Sequence, residues 1–163
     1  MTTAESFTPE ELKTLAGSVM LSGMAVSMVD MGVVSTAIEA NAMAQEVAGA
    51  TQKYPSNAVI QALFSEEAVK QARSNGTMKL DVKPEEMQPN LAVDTAVTKI
   101  NEALVILNQK ATPEETQEFK EFIYSAADRV ANAAGNGLFG SGGSKVSDKE
   151  AAALAKLKAA LGL

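Results

Sequence analysis

Apolar residues recur at helical spacing along most of the chain, and the opening stretch sets the pattern. Leu12, Leu15, Val19 and Val26 share one side of a predicted helix from Pro9 to about Val29, while Met20, Met24 and Met28 lie elsewhere. Ser18, Ser22 and Ala25 add a narrow small-residue stripe. A helix that is apolar or small nearly all round belongs in the middle of a bundle, so it is expected to be the most buried element. Its methionines read as flexible core filler ahead of a soft binding surface. A second helix is expected from a Thr36 cap to about Gln52, with Ala37, Ala40, Ala44 and Ala48 forming a close seam against the first and Glu39 and Glu46 on other faces. Ser56 or Asn57 can cap a short helix to about Ala62, and Ser65 starts another that ends at Asn75-Gly76.

The pattern lapses from Thr77 to Asn90, which holds two prolines and mixed charge, so a connecting loop with at most one turn near Pro84 to Gln88 is expected. Asn90 is then placed as the cap of an amphipathic helix with Val93, Val97, Ile100, Leu104 and Leu107 as its apolar stripe. Thr112 opens a long helix whose broad face carries Phe119, Phe122, Ile123, Ala126, Ala127, Val130 and Ala134. The glycine-rich run Gly135 to Gly143 ends it, with Leu138 and Phe139 expected to pin the turn to the core. A last helix, Asp148 to Leu161, should bury Leu154, Leu157 and Leu161 and expose Lys149, Lys156 and Lys158.

Two signals occur twice. Thr8-Pro-Glu-Glu11 and Thr112-Pro-Glu-Glu115 are identical helix starts, with Pro at the first helical position where its missing N–H costs nothing. Gly32 to Ala44 and Gly143 to Ala155 each run from a Gly through a Ser or Thr to a Glu and then into alanines. Thr36 with Glu39 and Ser147 with Glu150 have the spacing of capping boxes, in which hydroxyl and carboxylate satisfy the first free amides of a helix. These repeats predict one all-α domain over residues 1–163, a bundle of about six to seven helices. Two pseudo-repeated hairpins, 8–53 and 112–163, flank a middle segment, 54–111.

Composition agrees with that class: 163 residues, 46% hydrophobic, with five Phe, two Tyr and no Trp. The net charge of −6 and scattered cations exclude a nucleic-acid footprint. The chain has neither Cys nor His, which removes disulfides, thiolate chemistry, the usual general base and the usual zinc ligands. No basic segment precedes an apolar run, so a cytoplasmic location is the expectation. The longest uncharged run, Thr14 to Val29, is short for a bilayer span, and no transmembrane segment is expected.

Catalytic motifs are missing. Lys145 stands after Ser144 in a loop that follows a helix, whereas a phosphate loop puts Lys before Ser or Thr after a strand. No Ser-x-x-Lys occurs, so the chain reads as no enzyme. Acidic residues are the remaining candidates for chemistry. Asp30, Glu39 and Glu150 lie at the corners of the two hairpins, and if the corners meet, an oxygen-only cluster would suit Ca²⁺, Mg²⁺ or Mn²⁺. Helix capping is the competing reading of the same glutamates.

The corner residues Asp30-x-Gly32 leading to Glu39, and Gly143-x-x-x-Ser147-x-x-Glu150, resemble the Asp-Gly-x-x-Ser-x-x-Glu signature of the TerB-like, tellurite-resistance family. The resemblance implies an all-helical fold of duplicated halves, a link to stress and tellurite resistance in bacteria, and work within membrane-associated protein complexes. It also implies acidic residues that bind divalent metal, carried here by Asp30, Glu39 and Glu150. In the second copy Gly142-Gly143 replaces the acidic member, and in the first Met31 separates Asp30 from Gly32. The expected protein is thus non-enzymatic and acts through a protein partner or as a homo-oligomer; a divalent-cation binder is the alternative.

Overall fold

The structure, a computed structural model, describes residues 2–30, 35–76, 79–134 and 146–163, the side chains of 35–38 and 134 excepted. Within them the fold is an all-α bundle of seven α-helices: α1 (Pro9–Val29), α2 (Ser35–Lys53), α3 (Ala58–Phe64), α4 (Glu66–Ser74), α5 (Ala92–Lys110), α6 (Pro113–Ala134) and α7 (Asp148–Leu161). Short 3-10 turns at Ala4–Ser6 and Pro84–Met87 complete it, and the described residues hold no strand. The glycine-rich run with Leu138 and Phe139, the corner residues Gly32 and Gly143, and the Thr36 hydroxyl lie outside the described residues.

The cap signals place the helix starts. Thr8 Oγ1 accepts from the Glu11 amide (3.2 Å) while the Thr8 amide donates to Glu11 Oε2 (2.7 Å), and Thr112 and Glu115 form the same pair of bonds (3.2 and 2.9 Å). Ser147 and Glu150 close a third box (3.2 and 2.8 Å). Asn57 and Ser65 cap α3 and α4 through the Ile60 and Ala68 amides. Asn90 does not cap α5. Leu91 holds the cap position there without a side-chain bond.

α1 and α6 share the centre. The first turns of both sit at one end, where Lys110 reaches Glu11 (2.6 Å) and Thr2 donates to Glu115 Oε2 (2.7 Å). α1 packs mainly on α5 and α6, α2 lies mainly on α6, and α7 is divided between α5, α1 and α6. In α6 the expected face is formed by its described side chains: Phe119, Phe122, Ile123, Ala126 and Ala127 are all excluded from solvent, and Val130 nearly so. Phe122 sits at the aromatic centre, edge-on to Phe64, Tyr54 and Phe119, with ring centroids 5.4, 6.1 and 6.3 Å away. Ser18 and Ser22 are buried in α1, and each hydroxyl donates to a carbonyl of its own helix, Leu15 and Ser18, so the stripe needs no outside partner.

α2 presents a face other than the expected one, and in α5 the expected stripe packs on the core but its most buried line is shifted towards alanines. In α2 the alanines Ala40, Ala44 and Ala48 are not buried and make no seam with α1; Glu39, Ala42, Met43, Glu46 and Ala50 are buried instead. α2 touches α1 only slightly. Alanine is acceptable on either face of a helix, so the decision falls to residues with partners, and both glutamates have them. In α5 the fully buried line is Ala92, Ala96, Ile100, Ala103 and Leu107, while Val93, Val97 and Leu104 flank it half-buried. Small side chains on that line let α1 approach closely, as Gly17 of α1 does near the Lys99 stem.

α1 is also long and apolar enough to cross a membrane by length and composition, with mean hydropathy 1.4 in its best window. Half of that window is buried within the bundle, and the core helix of a soluble protein meets the same criterion. Met20 and Met28 lie half-buried against the core, whereas Met24 is 38% exposed and fills none of it.

Candidate functional site: the acidic corner

Asp30, Glu39 and Glu150 come from three elements that meet at one end of the bundle. Asp30 follows the last residue of α1 and is exposed. Glu39 lies one turn into α2 and is buried, and its Oε2 accepts a hydrogen bond from Ser27 Oγ, one turn before the end of α1. Since α2 begins at Ser35, Thr36 stands inside the helix, and the described bond of Glu39 is to Ser27.

Glu150, the third helical residue of α7, is likewise buried, and one of its oxygens is used in the box with Ser147. Burial pushes its carboxyl above the usual carboxylate value, against the pull of the Ser147 bonds, and the negative charges of Asp30 and Glu39 add to the rise. Asp30 and Glu39 are therefore both within electrostatic reach of Glu150. The three do not form a coordination shell: among the described residues no group of three or more Asp or Glu side chains is placed to hold a metal ion. As placed, the donor set does not fit a divalent cation, and the capping and interhelical bonds account for two of its members.

Other buried carboxylates hold elements together in the same way. Glu46 of α2 accepts from Ser125 of α6 (2.7 Å) and faces Lys53 and Arg129, each at 3.4 Å. Burial raises its carboxyl, but the Ser125 bond and the two cations outweigh that and hold it below the usual value. Glu115 accepts from Thr2, from the Thr112 amide and from the Ala58 amide (3.2 Å), and these bonds likewise overcome burial and lower its carboxyl. Sequence reading missed Ser27, Ser125 and Thr2 as partners. Each lies far along the chain from its glutamate, where no local spacing rule reaches.

The fold and corner together define an all-α helical bundle in which Glu39, Glu46 and Glu115 hydrogen-bond to other elements and Glu150 caps its own helix. The chain matches no family model, no curated protein and no solved structure.

Proposed function

We propose that the chain is a non-enzymatic, cytoplasmic helical protein of TerB-like type, linked to tellurite or general stress resistance through protein partners. One observation carries the non-enzymatic reading. The buried glutamates 39, 46, 115 and 150 each take part in hydrogen bonds that fasten one helix to its own start or to a neighbour. Acids spent in this way make a rigid framework, and such a framework acts through its surface. The duplication of hairpins 8–53 and 112–163 belongs to the same reading, supported by the identical boxes at the starts of α1 and α6. The test is deletion of the gene in its source organism, with growth scored on tellurite. Sensitivity that the intact chain reverses supports the proposal, and unchanged growth in the deletion strain removes it.

A second reading, a divalent-cation binder, is favoured by the convergence of Asp30, Glu39 and Glu150 on one corner. It requires the three side chains to draw together around Ca²⁺ or Mg²⁺, since they do not enclose an ion as they stand. Calorimetric titration with Ca²⁺, Mg²⁺ and Mn²⁺ decides it: heat that disappears in Glu150→Gln supports this reading. No heat, with no shift in melting temperature, rejects it.

A further inference from the structure

Among the described residues α4 is the one α-helix that buries no side chain. It has nine residues, α3 is its main neighbour, and a helix so short is not stable by itself. Along its side runs an open cleft of about 560 Å³, bounded by α3, α4, the Pro55-Ser56 turn and Ala4 of the N-terminal 3-10 turn. Ala4, Ala58, Ala62 and Ala68 line it with methyl groups alone, so a peptide backbone can come close. The charged and the fixed polar atoms in it are acceptors. Gln61 is pinned by its amide nitrogen, which donates to the carbonyls of Thr51 (2.9 Å) and Tyr54 (3.2 Å), and its amide oxygen is left to accept. Glu67 and Gln71, one turn apart on α4, share the side that lines the cleft. The Glu67 carboxylate has no ion pair or hydrogen bond among the described residues. Lys70 and Arg73, the cations of α4, stand outside the cleft, where Lys70 is paired with Glu66 (3.9 Å).

A wall of methyls with one free carboxylate, one fixed amide oxygen and no cation to answer them is complementary to positive charge carried on small side chains, and the net charge of −6 attracts such a ligand from a distance. We propose that the α3–α4 cleft docks a basic peptide segment of a partner protein, an Arg or Lys of which meets Glu67 and Gln61 while its backbone lies against the alanines. Filling the cleft gives α4 a second neighbour, so docking braces the helix that the core leaves unsupported. This docking site rests on the reading that the chain works through a protein partner but not on its link to tellurite, so peptide binding and growth of the deletion strain can fail independently.

The test is titration of the full ¹⁵N-labelled chain with capped pentapeptides of Gly and Ala that carry Arg, Gln or Glu at the centre. The Arg peptide should shift the amides of Gln61, Glu67 and Gln71 and slow hydrogen exchange along α4, and the Gln and Glu peptides should bind more weakly. Glu67→Gln replaces an exposed side chain and should leave the melting temperature unchanged, yet it should weaken binding of the Arg peptide by about two- to fivefold, the worth of an exposed ion pair. Glu66→Gln, outside the cleft, should leave binding as it was. No binding of the Arg peptide, equal binding of the Glu peptide, or equal weakening in Glu66→Gln and Glu67→Gln would overturn the proposal. Shifts of the same amides on concentrating the chain without peptide would assign the cleft to a second copy and overturn it as well.

Discussion

Glu11 and Glu115 occupy the same place in the same four-residue signal, and the bundle uses them differently. Each closes a capping box with the Thr three residues before it. Glu11 then meets Lys110, near the surface, and that bond together with the Thr8 amide lowers its carboxyl. Glu115 is 8% exposed and also receives Thr2 from the N-terminal segment and the first amide of α3. Local sequence determines that a helix starts; what the starting residue must also hold is determined by the chain packed around it.

Removing the two carboxylates separates these roles. Glu115→Ala leaves the Ala58 amide without its carboxylate acceptor and the Thr2 hydroxyl with only its long bond to the Lys110 carbonyl (3.4 Å), and should cost about 3 kcal/mol in urea unfolding. Glu11→Ala should cost clearly less, and its effect should shrink as salt is added; equal losses would erase the distinction. The threonines should behave alike, because their part in the box is wholly local: Thr8→Ala and Thr112→Ala should each cost about 1 kcal/mol by the same measurement. A marked difference between them would show that surroundings reach the cap itself.

Two helical glycines allow the same contrast at smaller scale. A Cβ on Gly49 meets nothing within 4 Å, so Gly49→Ala should stabilise by about 0.5 to 1 kcal/mol through helix propensity. At Gly23 the added atom would meet Met43 Sδ at 2.9 Å and Val130 Cγ2 at 3.3 Å. The displacement of Met43 and Val130 should offset the propensity gain there, so Gly23→Ala should raise the melting temperature less than Gly49→Ala, or lower it.

Acid titration gives the smallest effects, with opposite signs. Glu46 and Glu115 have folded-state carboxyls below the ordinary 4.5, so the stability they contribute is present above 4.5 and is lost as pH falls through their folded values. Glu150 lies above 4.5, so its folded form holds the proton more tightly; its contribution declines as pH rises from 4.5 through the folded value. Glu150→Gln should therefore raise the urea midpoint at pH 7 relative to the parent, with the gain fading by pH 4. A gain that persists at pH 4 would show that ionisation is not its source.

The sequence was informative where chemistry is local and contrast is strong. Both ends of α1 and α7, the caps of α3 and α4 and the aromatic face of α6 follow from hydroxyls, prolines and large apolar side chains at fixed spacing. The alanine-rich helices defeated the same rules, since Ala40, Ala44 and Ala48 form as regular a stripe as the residues that are buried. Glu39 and Glu46 lie off the alanine stripe, and their burial could not be read because Ser27 and Ser125, which make it tolerable, are invisible to periodicity. That the three acids stand at helix corners was legible, but the hydrogen bond of Glu39 to Ser27 was not.

The order of helices along the chain matters for how the molecule is made. α1 precedes the other helices in chain order and is apolar enough by length and composition to pass for a membrane span, yet α2, which follows it, barely touches it. Its main partners, α5 and α6, begin only at Ala92 and Pro113, so the growing chain carries an uncovered greasy helix until they have been made. Whatever binds such a helix in the cell, chaperone or bilayer, has its longest opportunity before this protein has a core.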